Sequence, residues 1–245
     1  MDLSTLPVVS TLLQLGADLL ATLSGALSPV AGPLAAALAV VLVTLLVRAA
    51  LVPLSVLQVR AERDRRRLAP RLAALRQRHG ADRERLQRAV QELYTAEHVS
   101  PLAGCLPVLA QAPVVSLLYA LFTHTSIAGT TNALLEATLA GVPLGQSLVA
   151  VVTSPLWVHA WVVVVLLVVL TVVVEATRRS ALHWNPVAAP DTEVPGAAAA
   201  TAIGRWAPFL TVGFAAIAPL AAALYVVTSA TWTLGERAVL RRLVR

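Results

Sequence analysis

Residues 35–57 read AAALAVVLVTLLVRAALVPLSVL, an apolar run with one charged side chain, Arg48, near its middle. A run of this length can cross a bilayer, which needs about 20 residues of helix. An arginine at the bilayer centre costs about 2.5–3.5 kcal/mol on insertion scales. We therefore interpret Arg48 as a functional residue of a membrane span. The structural alternatives are a bond to a helix-end carbonyl or a side chain that extends to the membrane interface.

The composition of the whole chain is that of an integral membrane protein. Hydrophobic residues make up 58% of the sequence and charged residues 13%, whereas a soluble domain carries about 25% charged residues. The formal charge of +6 lies in arginine blocks between apolar segments, which fits the cytoplasmic charge bias of membrane proteins better than binding to DNA. The single cysteine, Cys105, excludes an intrachain disulfide.

The apolar segments predict an all-α polytopic membrane protein with five transmembrane helices and a cytoplasmic two-helix hairpin. The spans are residues 33–55, 101–123 and 156–175, and two more helices within 206–236 that are broken near Pro219. The other segments are an amphipathic, extracytoplasmic N-terminal segment 1–32, a basic cytoplasmic hairpin 56–100, an extracytoplasmic loop 124–155, a cytoplasmic loop 176–205 and a basic cytoplasmic tail 237–245.

The positions of the arginines predict a bacterial cell membrane protein with its N-terminus outside and its C-terminus in the cytoplasm. No arginine precedes Arg48, and none lies between His124 and Trp161. A four-span arrangement, with one helix over 206–232, would place the basic tail outside. Five spans keep every arginine block inside, although the two helices within 206–236 are short for a bilayer and would require local thinning.

The hairpin 56–100 places leucines at helical spacing among its arginines. Gly80 predicts the end of its first helix and Asp82 the cap of its second helix, and Pro70 predicts an interruption of the first helix. Two explanations of the arginines fit equally well and are compatible. They set the topology and contact anionic lipid headgroups, or they dock a ribosome, a nascent chain or a targeting factor.

Several strings of residues resemble the YidC/Oxa1/Alb3 family of membrane protein insertases, in its short bacterial five-span form. These strings are Thr44-Leu-Leu-Val-Arg48, Leu68-Ala-Pro70, Leu93-Tyr94, Pro101-Leu-Ala-Gly-Cys-Leu-Pro-Val-Leu-Ala-Gln-Ala-Pro113, and Pro219 with Leu224-Tyr225. The resemblance covers residues 34–237 approximately. Two positions depart from the family pattern: Ser100 replaces the usual asparagine, and Val226 replaces an aromatic residue that often follows the tyrosine.

The resemblance implies a hydrophilic groove in the inner half of the membrane, open to the cytoplasm and to lipid and closed to the outside. Arg48 would supply its positive charge, with Thr44 one turn away on the same helical face. Gln111 would be a further polar group, and Tyr225 would line the far wall. The residues alone leave other roles open: a bond to its own helix for Thr44, interhelical packing for Gln111 and an interfacial position for Tyr225.

The function that the resemblance implies is that of an insertase and chaperone, which inserts and helps fold or assemble client membrane proteins through this groove. Its partners would be nascent membrane proteins, with the ribosome, the SecYEG translocon and anionic lipids as further partners. The chain lacks a phosphate-binding loop, a hydrolase constellation and metal-ligand spacing, so we expect no enzymatic activity, cofactor or metal. The alternatives are a membrane scaffold for complex assembly and an anion or small-solute carrier.

Overall fold

The structure is a computed structural model that describes residues 7–79, 82–99, 116–117, 119–124, 126–127, 130–184 and 206–243. Gly80, Ser100, Cys105 and Gln111, together with most of the predicted span 101–123, lie outside the described residues. The α-helices are α1 (Pro7–Ala31), α2 (Ala35–Ala50), α3 (Val52–His79), α4 (Arg83–Ala96), α5 (Leu148–Val152), α6 (Ala160–Trp184), α7 (Leu210–Ile217) and α8 (Leu220–Leu243). The described chain is thus predominantly helical, in agreement with the predicted class.

Two pairs of very short strands supplement the helices. Strands β1 (Ser126–Ile127) and β2 (Thr130–Thr131) pair antiparallel, as do β3 (Thr138–Leu139) and β4 (Val142–Pro143). The turn between β3 and β4 has positive φ at Ala140 (49°) and Gly141 (86°), as a two-residue hairpin requires. A Cβ at Gly141 would lie 3.0 Å from the ring of His159, so this position needs glycine for both conformation and space.

The chain divides into two compact units, which are described separately. The first unit comprises Met1–Ala49 and Pro113–Leu234, and the second comprises Ala50–Ala112 and Gly235–Arg245. Among the described residues, two helical segments are long and apolar enough to cross a membrane, Thr11–Ala50 and Pro155–Trp184. The apolar segment Ala207–Ile217 is shorter. The count of five spans and their orientation stay predictions.

The core of the first unit is formed by apolar side chains from helices and from the predicted extracytoplasmic loop. Its fully buried members include the following residues: Leu13, Leu20, Ala39, Val40, Leu121, Phe122, Val142, Leu144, Val151, Val163, Leu220 and Ala221. Helix α1 contributes Leu13 and Leu20 while its neighbouring leucines Leu12, Leu15 and Leu19 are about half exposed. Helix α1 therefore packs one face against protein, and its predicted position at the membrane surface stays a prediction.

The start of α8 is held by the predicted extracytoplasmic loop. Helix α7 ends at Ile217 and α8 begins at Leu220, so the break lies at Ala218 and Pro219, where the sequence predicts it. The first N–H groups of a helix have no partner within that helix. Here Leu220 N–H donates to the carbonyl of Gln146 (2.8 Å) and Ala221 N–H to the carbonyl of Leu144 (3.0 Å).

A buried asparagine joins the predicted extracytoplasmic loop 124–155 to the residues just before it. Asn132 is 6% exposed, and its Nδ2 donates to the carbonyls of Leu121 (2.5 Å) and His124 (3.0 Å). Its Oδ1 accepts from Leu134 N–H at 3.1 Å. One side chain therefore satisfies three backbone groups, which fixes the course of the loop.

Helix α6 extends beyond the predicted span 156–175. A short 3₁₀ helix, Pro155–His159, precedes it, and the α-helix continues to Trp184. Glu175 accepts hydrogen bonds from Arg178 and Arg179, and such pairs three and four residues apart stabilise a helix. The first part of the predicted loop 176–205 is therefore helical.

The second unit contains α3, α4 and the end of α8 from Gly235. Asp82 caps α4 by accepting from Arg85 N–H at 3.0 Å, as predicted. The predicted interruption at Pro70 is wrong, because α3 is continuous from Val52 to His79. Two arginines that flank Pro70, Arg67 and Arg71, both bind Glu97 at the end of α4. Residues on both sides of Pro70 thus link α3 to the end of α4.

The end of α8 lies on α3 in this unit, so residues 237–243 of the predicted tail are helical. Glu62 on α3 is surrounded by three arginines: Arg241 at 3.1 Å, Arg237 at 3.6 Å and Arg66 at 3.7 Å. The side chain of Arg241 is only 4% exposed. Because Arg241 is buried beside this carboxylate, removing Glu62 would leave its charge in the interior, which costs more than breaking a surface pair.

Candidate functional site

Helix α2 buries two polar side chains and exposes several large apolar ones. Thr44 (1% exposed) and Arg48 (8% exposed) are one turn apart and buried. Leu38, Leu42 and Leu46 on another face are 43%, 37% and 57% exposed. In water this arrangement would be unfavourable, because apolar residues normally face the core. It suits a helix whose outer face contacts lipid.

The guanidinium of Arg48 is bound by a residue of α8. Its Nε donates to Ser229 Oγ at 2.8 Å, and its Nη2 donates to the same oxygen. Ser229 is 4% exposed, so this contact lies in the interior of the first unit. The acceptor for Arg48 is therefore a side-chain hydroxyl. The sequence suggested two other structural roles for this arginine, a bond to a helix-end carbonyl and extension to the membrane interface.

Ser229 is absent from the candidates drawn from the sequence. A signal for it exists: it lies in Thr228-Ser-Ala-Thr231, a run of small polar residues inside an apolar segment, and one helical turn after Tyr225. Hydroxyl residues are common in membrane helices, where they usually bond to their own helix. The pattern therefore could not distinguish Ser229 from the neighbouring threonines.

Thr44 forms a hydrogen bond to its own helix, one of the two roles that its position allows. Its Oγ1 donates to the carbonyl of Val40 at 2.6 Å. This bond uses the single hydroxyl proton, and the oxygen keeps its capacity to accept a hydrogen bond. Thr44 therefore keeps a free acceptor position one helical turn before Arg48, and its role as a groove residue stays a prediction.

Tyr225 is buried in the first unit rather than placed at an exposed edge. It is 3% exposed and belongs to the same apolar cluster as Val40 of α2. Small residues of both helices share that cluster, including Ala36, Ala39 and Ala221. Three of the four predicted site residues, Arg48, Thr44 and Tyr225, therefore lie on α2 and α8 within one unit, and Gln111 is outside the described residues.

The acceptor that Ser229 offers to Arg48 is a neutral group. Arginine keeps its charge in proteins, and a serine hydroxyl carries none. The bond between Arg48 and Ser229 therefore orients the guanidinium without neutralising it. In the described part of the chain, no group of three or more His, Cys, Asp or Glu side chains could hold a metal ion.

Comparison with known proteins places the chain in a family. The sequence model of the family described as 60Kd inner membrane protein matches residues 27–245. Curated relatives named membrane protein insertase YidC are similar over a shorter stretch of 73 residues, at 45% identity in Azotobacter vinelandii and in Xanthomonas campestris pv. campestris, and at 42% in Pseudomonas fluorescens. Each match covers 30% of this chain and 13% of the relative's length.

The family match covers most of the chain, including α2 with Arg48 and α8 with Ser229 and Tyr225. It confirms the resemblance that the residue strings indicate. The chain therefore belongs to the family of the 60Kd inner membrane protein, the YidC/Oxa1 family.

Proposed function

We propose that this chain is a membrane protein insertase and chaperone, which inserts and helps fold or assemble client membrane proteins through a hydrophilic, lipid-open groove that contains Arg48. The observation that carries the proposal is the guanidinium of Arg48, buried in an apolar helix and oriented by Ser229. The family match and the name shared by the curated relatives support the same function.

The barrier to insertion is the transfer of a client's polar tail across the bilayer, because its polar groups lose their water. A positive charge inside the membrane lowers this barrier for an acidic tail. At an effective dielectric constant of 20, opposite unit charges 4 Å apart attract by about 4 kcal/mol. The client's apolar segment then enters lipid. This transfer is favourable by about 25 cal/mol of free energy per Å² of apolar surface removed from water.

Client contact requires a rearrangement at the site. Thr44 and Arg48 are 1% and 8% exposed, so a client can reach their side chains only if the groups that cover them move. The exposed leucine face of α2 would stay in lipid during this movement. We propose that the resting protein is closed at Arg48 and that client binding opens it.

The proposal includes the membrane arrangement predicted from the sequence. Five spans would leave the N-terminus outside and the C-terminus, with α3 and α4, in the cytoplasm of a bacterium. The arginines of α3 and α4 would then be available to anionic lipid headgroups, the ribosome or SecYEG.

Photocrosslinking from two positions of α2 tests the groove. One probe replaces Thr44, and the control probe replaces Leu46, which is 57% exposed on the lipid-facing side. The bait is a ribosome-stalled single-span client with an acidic tail. We expect a crosslink from position 44, stronger than from position 46, that weakens as the stalled client lengthens. A correctly folded protein that gives no crosslink at any length would favour a scaffold or a carrier.

The charge of Arg48 has its own test. Arg48→Ala should reduce insertion of a client with an acidic tail about tenfold or more, because the attraction estimated above is lost. Insertion of the same client with a neutral tail should change little. Protease protection of the translocated tail measures both. If Arg48→Ala inserts the acidic-tailed client as well as the parent protein does, the electrostatic mechanism is refuted.

A further inference from the structure

Among the hydroxyl residues in the middle of α8, Ser229 differs from its neighbours in its hydrogen bonding. Thr228, Thr231 and Thr233 each donate to the carbonyl four residues earlier in their own helix, at 2.8, 2.8 and 2.9 Å. Ser229 instead accepts two hydrogen bonds from Arg48 of α2. The threonine hydroxyls thus serve α8 itself, whereas the serine hydroxyl joins α8 to α2.

The length of the arginine side chain explains how a serine of α8 can meet a residue of α2. A serine side chain is short, so its hydroxyl spans little of the distance between two helices. The Arg48 side chain is long, and its Nε lies 2.8 Å from Ser229 Oγ. Both side chains are buried, at 8% and 4% exposed, so the bond that joins α8 to α2 lies in the interior of the first unit.

Orientation matters for this arginine because its side chain is long and flexible. Without a fixed acceptor, an arginine in an apolar span tends to extend its guanidinium toward the membrane interface. A hydroxyl that binds both Nε and one Nη fixes the plane of the guanidinium as well as its position. It also leaves the positive charge in place, unlike a carboxylate.

We propose that Ser229 is a positioning residue that keeps the guanidinium of Arg48 at the depth where it meets acidic client tails. This inference rests on the proposed function, since it assigns Ser229 a part in the same charge-dependent step. Ser229 thereby sets the preference for acidic over neutral client tails. Its effect passes through Arg48 and requires no contact between Ser229 and the client.

The test measures insertion of acidic-tailed and neutral-tailed forms of one client by variants of the full chain. We expect Ser229→Ala to lower the acidic-to-neutral ratio about fivefold, on the scale of a typical intramolecular hydrogen bond. Ser229→Thr should restore the ratio because it keeps the hydroxyl. The matched control is Thr228→Ala, which removes an adjacent hydroxyl bonded within α8 and should leave the ratio unchanged.

A second comparison separates positioning from a general structural role. In the Arg48→Ala background, Ser229→Ala should cause no further change in the ratio, because the group that it positions is gone. If Ser229→Ala lowers insertion of both clients equally, or leaves the ratio unchanged while Arg48→Ala lowers it, the positioning role is refuted. If Arg48→Ala itself leaves the ratio unchanged, the electrostatic mechanism fails, and the inference fails with it.

Should Ser229→Ala not fold, Ser229→Cys provides the same test. The cysteine side chain has nearly the size of the serine side chain, and its sulfur is a weaker acceptor than the hydroxyl oxygen. The acidic-to-neutral insertion ratio of Ser229→Cys should then be lower than that of the parent protein and higher than that of a protein that lacks the bond to Arg48. A ratio equal to that of the parent protein would overturn the assignment.

Discussion

Replacing Glu62 by alanine should destabilise the second unit by about 2–3 kcal/mol. The carboxylate of Glu62 lies 3.1 Å from Arg241, whose side chain is 4% exposed. Removing one partner of a buried ion pair costs about 3–5 kcal/mol, because a charge is left in the interior. We place the effect below that range since Glu62 is itself 19% exposed and water screens part of the interaction.

A second glutamate of the same unit provides a matched control. Glu97 also binds two arginines, but Arg67 and Arg71 are 61% and 62% exposed. Exposed ion pairs contribute about 0–1 kcal/mol each, so Glu97→Ala should cost clearly less than Glu62→Ala. The two variants remove the same chemical group from the same unit and differ chiefly in the burial of its partners.

Unfolding of the purified protein by SDS in mixed micelles measures both variants, with far-UV circular dichroism as the signal, because the second unit contains the helices α3 and α4. The double replacement Glu62→Leu with Arg241→Met should recover most of the stability, because an apolar pair can replace a buried ion pair at little cost. Equal losses for Glu62→Ala and Glu97→Ala would refute the reasoning. A loss below about 1 kcal/mol for Glu62→Ala would refute it as well.

Two further predictions concern the predicted extracytoplasmic loop and use the same unfolding assay. Asn132→Ala should cost about 2–3 kcal/mol, because it leaves a buried carbonyl and a partly buried carbonyl without their donor; a loss below about 0.5 kcal/mol would contradict the anchoring role. Gly141→Ala should cost about 1–3 kcal/mol, since alanine is strained at a φ of 86° and its Cβ would meet the ring of His159 at 3.0 Å. Stability equal to that of the parent protein would show that the turn adapts.

Features that depend on neighbouring residues could be predicted from the sequence. The cap at Asp82 and the helix break at Pro219 follow from the preferences of single residues within one turn. The membrane class follows from the apolar composition, and the family follows from strings of residues that are matched over 27–245. Each of these signals is contained in a short segment, so no knowledge of distant contacts is needed.

Features that depend on distant contacts were missed or predicted wrongly. Pro70 suggested a break in α3, but the helix is continuous through it, and Arg67 and Arg71 on either side of it bind Glu97. The sequence predicted a basic tail over 237–245 without a partner for it, whereas Arg237 and Arg241 bind Glu62 of α3. In both cases the acidic partner lies too far along the chain for a local pattern to reveal it.

By itself, the sequence determined that Arg48 is exceptional, because the cost of a charge within an apolar run depends only on the residues around it. Only the tertiary structure decided that Ser229, 181 residues away, would hold that charge. It likewise decided that Arg241 would bind Glu62 across 179 residues. Apolar patterns predict which faces are buried, but many pairings of helices would bury the same faces. Close packing of particular side chains selects one of these pairings.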